Sequence, residues 1–543
     1  MKLNVLGAAL FLALLTAAAP APKIDAGRIK EHVRILSSDA FAGRGPTQAG
    51  ERKTIEYLAR QFSEAGLQPG GEKGFWYQDV PLIRYERVGP ASLSVRVAGQ
   101  SVPLLTGRQI TAASGIVGKT MLKDAPMVFL GYGMVAPDLG WNSFEGVDLK
   151  GKVAVFLAGD PDFESAQPGD FGGRTLTYGG RFGAKAAAAN KAGAAAVLVI
   201  HETAPASYPW SQVANNDGAP TFGLRPAAGA TPFGLTGWLH RNAAIDLFRR
   251  AGLDFEALKV RARQKTFRAL AIGDARLSAE LETRAEPAVS RNVVARLTGR
   301  AFPQETVVYG AHWDANGLGA SDAEGDTIRN GAVDNATGTA TLLEIARSFA
   351  RGPRPQRSIL FIGYTAEEKG LLGAEHYVAK PLAPLETTAA VFNLDPHVVI
   401  GKARSLDLIG GGRTSLELDL VRTAARHGLR VEEERSPEAG WYFRSDHFAF
   451  AKKGVPVLAF RAGRDLVQGG KAAGNAAIED YNASRYHQTS DEYDPAWDMV
   501  GAAQEGQIAY ELGRELANSR RWPSWNKGVE YEPIRDATGA ARH

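Results

Sequence analysis

The sequence has no cysteine among its 543 residues, so no disulfide supports the fold and no lipid is attached through a cysteine near the N-terminus. After the first fifteen residues no run approaches about eighteen consecutive apolar residues, the length that indicates a transmembrane helix. The chain also lacks a large excess of one charge, because it has 63 basic and 59 acidic residues. Without a basic cluster interleaved with aromatics, we expect no nucleic-acid partner. The ordinary 44% hydrophobic content predicts a large globular protein of two or three domains.

The N-terminus has the pattern of a processing signal. Lys2 precedes an apolar stretch from Leu3 to Leu15, and the small residues Thr16–Ala19 follow. The stretch is too short to span a bilayer, and cleavage is expected after Ala18 or Ala21. We therefore expect residues 1–21 to be a signal peptide of a periplasmic or secreted bacterial enzyme, with no stable membrane insertion after cleavage. A buried first helix is the alternative.

Five residues form a candidate metal-ligand set, and they lie in order along about 175 residues: His312, Asp334, Glu368, Asp395 and His487. Two imidazoles and three carboxylates suit Zn²⁺, with Mn²⁺ or Co²⁺ as possible substitutes. One carboxylate can bridge two ions, which leaves one histidine and one carboxylate for each. The set therefore predicts a two-metal hydrolytic site. Taken singly, each motif is more typical of a surface pair, a solvated helix face or a helix cap.

The candidate ligands follow predicted secondary-structure elements. Three apolar runs are predicted to be strands: Thr306–Tyr309, Ser358–Ile362 and Ala389–Phe392. His312, the Glu367–Glu368 pair and Asp395 come just after these runs, and Asp334 comes just before a predicted helix. Ligands at the carboxyl ends of strands that alternate with helices are typical of open α/β sheets.

The order and spacing of these motifs resemble peptidase family M28, the co-catalytic zinc aminopeptidases, from about Ser290 to Leu516. The resemblance implies that His312 and Asp395 bind one zinc ion, that Glu368 and His487 bind a second, and that Asp334 bridges them. It also implies that Glu367 is the general base and that Asp314 orients the ring of His312. The fold class implied is α/β, a zinc-exopeptidase fold with a mixed central sheet flanked by helices.

A second motif, Ser445-Asp446-His447, resembles a segment of the same family. There the histidine faces the cleft and can donate to the substrate carbonyl or the oxyanion, which makes His447 a candidate for that role. A structural hydrogen-bond network is the alternative reading. Asp446 is expected to support His447 rather than bind metal.

The remaining sequence divides into regions. After the signal peptide we expect a helical N-terminal segment, residues 22–125, that packs on the catalytic domain. Residues 126–285 resemble the protease-associated (PA) domain that is inserted in larger M28 members, a β-rich module expected to act either as a wall of the cleft or as a stabilising unit. The peptidase domain is expected over 286–520, followed by a C-terminal tail, 521–543.

The expected function is that of a zinc metallo-aminopeptidase, which releases N-terminal residues from peptides by means of water activated by two zinc ions. A carboxypeptidase or dipeptidase with the same metal chemistry remains open, and Arg444 is the available cation for a terminal carboxylate. A glutaminyl cyclase is less consistent, since related cyclases use one zinc. A non-catalytic, receptor-like homologue is also disfavoured, because no ligand is missing here. A peptide is the expected partner, and the sequence indicates no oligomeric state.

Overall fold

The computed structural model describes residues 23–165, 169–226, 232–395 and 398–542. The predicted signal peptide, residues 1–21, lies outside these described residues. Within the ranges described, no helix is both long enough and apolar enough to cross a membrane.

The α-helices of the described residues fall into three groups along the chain. Two precede residue 70, namely α1 (Ala26–Leu36) and α2 (Ala49–Glu64). Five belong to the middle of the chain: α3 (Phe182–Lys191), α4 (Thr203–Ala206), α5 (Trp210–Asn215), α6 (Arg241–Arg250) and α7 (Phe255–Ala262). Seven follow residue 330: α8 (Gly338–Arg351), α9 (Leu372–Ala379), α10 (Leu416–Arg426), α11 (His447–Ala451), α12 (Gly470–Ser484), α13 (Val500–Ala517) and α14 (Glu532–Asp536).

The strands follow the same division. The first group is β1 (Gln68–Pro69), β2 (Tyr77–Val97), β3 (Gln100–Pro103), β4 (Ala113–Ser114) and β5 (Gly118–Phe129). The second is β6 (Val135–Ala136), β7 (Trp141–Asn142), β8 (Val153–Leu157), β9 (Ala196–His201), β10 (Thr221–Leu224) and β11 (Leu235–His240). The third is β12 (Leu270–Leu297), β13 (Phe302–His312), β14 (Gly317–Leu318), β15 (Ile328–Arg329), β16 (Arg357–Tyr364), β17 (Thr388–Asn393), β18 (Ser405–Leu408), β19 (Arg430–Glu433) and β20 (Val457–Ala462).

Sixteen strands form one continuous mixed sheet, whose main path runs β19-β18-β20-β17-β13-β16-β12-β5-β8-β9-β11-β4. Strand β12 joins two halves of this sheet. Its C-terminal part pairs antiparallel with β16, and its N-terminal part pairs antiparallel with β5. We call the strands from β19 to β16 the catalytic half and those from β5 to β4 the PA half. The expected mixed central sheet flanked by helices is confirmed.

Two predicted regions differ from the structure. The helical segment expected over 22–125 is helical only as far as α2, because β2 and β5 occupy much of the rest. In β2 the side chains of Gln78, Val80 and Leu82 are buried on one face, which is the two-residue alternation of a strand. The predicted domain boundary at 285–286 falls inside β12, so that strand belongs to both halves.

The catalytic half has a parallel centre. Strands β16, β13, β17 and β20 are parallel neighbours, as the alternation of apolar runs with helices predicts. Tyr309 of β13 stacks between Phe361 and Phe392 of the flanking strands, with ring centroids 5.6 and 5.2 Å apart. Helices α8 and α13 cover this face, and α9 and α11 cover the other. The centre is therefore buried on both sides, and its strand ends are held in fixed positions.

The C-terminal tail packs closely on the catalytic half. Trp525 is buried, and its indole N–H donates to the carbonyl of Gly454 at 2.8 Å.

Candidate metal centre

Three of the five candidate ligands, and the candidate base Glu367, lie where parallel strands end. His312 is the last residue of β13, and Glu367–Glu368 and Asp395 follow β16 and β17 within four residues. Because β13 is parallel to both neighbours, the three loops leave the sheet on the same side. The register of the sheet therefore brings together residues that are far apart in the sequence.

The other two candidates enter from loops. Asp334 lies in a tight turn, Ala332–Thr337, that precedes α8, and the peptide bond after it is cis. The carboxylate of Asp491 accepts the backbone N–H groups of Val333 and Asp334, each at 3.1 Å, and so fixes this turn. His487 follows α12 in the left-handed region, at φ 60°.

The five side chains converge around Asp334. The Nε2 atom of His312 lies 3.0 Å from Asp395 Oδ1 and 3.3 Å from Asp334 Oδ1. The Nε2 atom of His487 lies 3.3 Å from Asp334 Oδ2 and 3.2 Å from Glu368 Oε2. Two groups of three ligand atoms result, each within 4.8 Å, and they share Asp334.

This donor set fits a pair of divalent cations. Each group offers one imidazole nitrogen and carboxylate oxygens, which is a ligand set suited to zinc. The second oxygen of Glu368, Oε1, is buried and has no hydrogen-bond partner among the described residues. A buried carboxylate oxygen without a partner is costly unless a cation or donor binds it. The residues present therefore fit the metal ions that the sequence motifs imply.

The carboxylates and imidazoles perturb one another strongly. Burial lowers the pKa of His312, but the carboxylates of Asp395 and Glu367 outweigh it and raise that pKa well above its ordinary value. Burial raises the pKa of Asp334, and its contacts with His312 and His487 outweigh that effect and lower it. Charges of opposite sign packed into a small buried volume produce shifts in these directions.

The ring of His312 is oriented differently from the expectation. Its Nδ1 lies 3.1 Å from the backbone carbonyl oxygen of Asp314 and 3.8 Å from the Asp314 carboxylate. The carbonyl is therefore the closer acceptor, and a proton on Nδ1 leaves Nε2 free to bind metal. The Asp314 carboxylate instead accepts the backbone N–H of Glu367 at 3.1 Å, so Asp314 holds the loop that carries both glutamates.

Glu367 faces the same pocket without joining either ligand group. Its Oε2 lies 4.0 Å from His312 Nε2, whereas the neighbouring Glu368 points to His487. Burial raises the pKa of Glu367 well above its ordinary value, although His312 opposes that shift. The adjacent pair is thus split between two directions, as a ligand and a free proton acceptor require.

The Ser-Asp-His segment begins α11 beside the centre. His447 is buried and lines the pocket with Asp395, and neither of its ring nitrogens has a side-chain partner among the described residues. Asp446 is buried with both carboxylate oxygens unpartnered there, so the expected support of His447 by Asp446 is wrong for this structure. Ser445 instead supports the centre, because its hydroxyl donates to Asp395 and accepts from Asn393.

Two joined cavities lead away from the metal centre. The first, about 200 Å³, is lined by four of the candidate ligands together with Glu367 and His447. The second, about 370 Å³, lies between the two halves of the molecule. Trp441, Arg444, Arg461 and Tyr486 line both. Arg181, at the start of α3 in the PA half, also lines the first cavity.

Sequence reasoning missed several residues that build this site. Asp491 and Arg181 lie in no recognisable motif. Arg44 stands in the segment Phe41–Gly45, and its fully buried guanidinium donates to the carbonyls of Trp313, Asn330 and Gly331. A buried arginine that binds these three carbonyls, and that of Leu36 as well, fixes the backbone of two ligand loops. The only indication in the sequence is an arginine, which is always charged, between two glycines in this short segment.

Known proteins share both parts of the molecule. A model of peptidase family M28 matches residues 292–510, and a PA domain model matches residues 123–231. The structure of an aminopeptidase from Aneurinibacillus sp. strain AM-1 superimposes with a TM-score of 0.52 at 19% identity, over 91% of this chain and 95% of that one. This likeness shows a shared fold.

Curated relatives match over shorter stretches. A probable zinc metalloprotease of Pyrenophora teres f. teres (strain 0-1) is 36% identical over 115 residues, 21% of this chain and 23% of that protein. Leupeptin-inactivating enzyme 1 of Streptomyces exfoliatus is 28% identical over 183 residues, 33% of this chain and 38% of that enzyme. The match thus spans less than half of either relative. The family models show that residues 292–510 belong to peptidase family M28 and that residues 123–231 are a PA domain.

Proposed function

We propose that this protein is a metal-dependent aminopeptidase that binds two zinc ions and removes N-terminal residues from peptides. The observation that carries the proposal is the pair of ligand groups that share Asp334, with Glu367 facing the same cavity. In this assignment His312 and Asp395 hold one ion, Glu368 and His487 hold the other, and Asp334 bridges them. When bound, such ions acidify water and polarise the scissile carbonyl.

The residues of the chain supply the remaining steps. Glu367 accepts a proton from the attacking water and returns it to the amine as the C–N bond breaks, a role that suits a buried carboxylate with a raised pKa. His447 donates to the carbonyl oxygen as negative charge develops there. Burial lowers the pKa of His447 to about 4, so the ring is neutral at neutral pH and has one N–H to donate. Asp314 and Ser445 hold the glutamate loop and Asp395 in position.

We further propose that the PA half forms one wall of the substrate cleft, which the position of Arg181 supports. We assign residues 286–520 to the hydrolytic domain and 126–285 to the PA module, with β12 shared between them, and 521–543 to a tail. The charge and apolar pattern of residues 1–21 support export to the periplasm or the medium.

A carboxypeptidase is the second candidate, because Arg444 lies in the cavity and could bind a terminal carboxylate. Blocked hexapeptides separate the two. In a hexapeptide the C-terminus lies about 17 Å from the first peptide bond when extended, so amidation should matter little to an aminopeptidase. N-acetylation should lower kcat/KM by at least about 100-fold, since the groups that bind the free amine are left unpaired.

The opposite pattern, with loss on amidation and retention on acetylation, would reject the aminopeptidase assignment. Elemental analysis of the same preparation tests the metal assignment. We expect close to two zinc ions per chain, and an active enzyme with one tightly bound ion would contradict it.

A further inference from the structure

Two arginines from different halves of the molecule meet beside the metal centre. Arg181 precedes α3 in the PA half, and Arg444 follows the turn Trp441–Phe443 in the catalytic half. Both line the cavity that holds the metal ligands. The guanidinium of Arg181 donates to the carbonyl of Phe443, so the PA half is attached to the catalytic half at this point.

These guanidinium groups have no counter-ion of their own. Among the described residues, no carboxylate lies within 4.0 Å of a nitrogen of Arg181 or Arg444, whereas Arg87 and Arg357 each pair with an acid at 2.9 and 2.6 Å. Arg444 has only a long bond to the Ala439 carbonyl, at 3.4 Å, and a contact with the Trp441 ring at 4.9 Å.

Placing two like charges together out of water is unfavourable. Burial and the nearby Arg444 together lower the pKa of Arg181 to about 10. Burial also acts to lower the pKa of Arg444, but the nearby tyrosines and glutamates outweigh it and raise that pKa. The acids nearest to the pair, Glu367 and Glu368, are already assigned to proton transfer and metal binding. A free carboxylate would therefore reduce the repulsion between the two arginines and accept hydrogen bonds from both guanidinium groups.

We propose that Arg181 and Arg444 bind a carboxylate of the peptide, so that the enzyme prefers substrates with an anionic group close to the scissile bond. The inference rests on the proposed aminopeptidase function and names its substrate class. The carboxylate is either the side chain of an N-terminal glutamate or aspartate, or the C-terminus of a very short peptide. Arg461 and Trp441 extend the same lining into the larger cavity.

Two matched pairs of substrates distinguish the sources. Glutamyl- and glutaminyl-p-nitroanilide differ only in side-chain charge and have no free C-terminus. Alanyl-alanine and its amide differ only at the C-terminus. Since hydrogen bonds to charged groups are the stronger kind, we expect kcat/KM to favour the anionic member of one pair by about 10–100-fold.

The variants Arg181→Gln and Arg444→Gln should each reduce that ratio to a few-fold, and Arg444→Lys should retain part of it. Arg268→Gln is the control, because it removes one charge from an exposed arginine of the PA half that pairs with Glu145 and lines none of these cavities. It should leave the ratio unchanged. Binding of glutamate against glutamine, measured by calorimetry on the zinc-loaded protein and on each variant, gives a second readout that needs no turnover.

Equal rates within both pairs in the wild type, or a preference that survives both glutamine variants, would overturn the inference. In that case the arginines only balance the acidic metal centre. Cleavage of leucyl-p-nitroanilide separates this result from failure of the proposed function. An enzyme that cleaves it but ignores carboxylates remains an aminopeptidase, whereas one that cleaves no free-amine substrate is not one.

Discussion

The PA half and the catalytic half share a local pattern, in which a buried parallel strand is followed by an acidic residue. The two halves differ in what surrounds that acid. In the PA half, Asp160 follows β8 and Glu202 follows β9. Glu202 pairs with Lys259 at 2.8 Å and with Arg241 at 3.0 Å. Asp160 lies close to the fully buried Lys185 and accepts two hydrogen bonds from Thr177. Glu202 therefore has two cations in ion-pair contact, and Asp160 has a buried lysine nearby.

At the catalytic edge the cations lie farther away, because Arg181 and Arg444 line the same cavity without an ion-pair contact to its acids. Among the described residues, Asp334, Glu367, Glu368 and Asp395 form ion-pair contacts only with His312 and His487. Four acids against two imidazoles leave a surplus of negative charge in a buried place, which a bound cation can neutralise. The comparison teaches that the carboxyl end of a parallel sheet can serve two purposes. Where lysine and arginine pair with the acids, the pairs stabilise the fold, and where they do not, the acids can bind a cation.

The largest expected effect comes from the aspartate shared by both ligand groups. Asp334→Asn keeps the size of the side chain but removes the charge between His312 and His487, so both ions should be lost. Activity should fall by about 10⁴-fold or more. Elemental analysis and kcat/KM on an aminoacyl-arylamide measure the two effects.

The matched change at the other edge is Asp160→Asn. It should lower thermal stability, because Lys185 loses its nearby acid, and leave zinc content per folded chain unchanged. If Asp160→Asn removed zinc, or if Asp334→Asn retained two ions, the contrast between the edges would be wrong.

A somewhat smaller effect should separate the neighbouring glutamates. Glu367→Gln removes the proposed proton acceptor but no ligand, so activity should fall by about 10²–10⁴-fold with zinc content retained. Glu368→Gln should instead lose the ion shared with His487. Paired measurements of zinc content and kcat decide the roles, and an exchange of the two phenotypes would reverse them.

The position of the candidate ligands at the carboxyl ends of strands could be predicted from local sequence. The apolar runs before His312 and Asp395 predict strands, and parallel strands in neighbouring positions bring their ends together, so the ligand set follows from the chain order. The structure placed all five ligand candidates around one point.

Long-range contacts could not be predicted in the same way. Asp491 fixes the turn at Asp334 across more than 150 residues, and Arg181 reaches the cavity from the PA half. The choice between the carbonyl and the carboxylate of Asp314 as the acceptor for His312 depends on distances that spacing does not determine. Strand β2 was not predicted, although the buried side chains of Gln78, Val80 and Leu82 follow its period of two.

A moderate effect is expected from breaking a pair at the PA edge. Lys259 is buried between Glu202 and Glu164, at 2.8 and 2.6 Å. Lys259→Met keeps most of the volume but leaves buried carboxylates with less positive charge, so the free energy of unfolding should fall by roughly 3 kcal/mol. Urea unfolding followed by circular dichroism measures this change.

The same variant should keep its zinc content and its kcat/KM on a neutral arylamide, since neither Glu202 nor Glu164 belongs to the two candidate ligand groups. Tighter zinc binding by Lys259→Met would indicate that removing the cation is enough to create a site there, and would sharpen the comparison in an unexpected direction.

The smallest effect is expected from removing a hydroxyl group that donates a hydrogen bond to an aspartate, and each edge has one. Ser445 donates to Asp395, and Thr177 donates to Asp160 at 2.8 Å. A group that orients a ligand typically contributes 10–100-fold to metal affinity, or about 1.4–2.7 kcal/mol. Ser445→Ala should therefore weaken the ion at His312 and Asp395 by that factor and leave the ion at Glu368 and His487 almost unchanged, so a zinc titration should separate into two phases. Thr177→Val should lower stability by about 1 kcal/mol without altering the titration. Equal weakening of both ions by Ser445→Ala would mean that the two sites bind as one unit through Asp334, and the separate roles of their ligands would have to be abandoned.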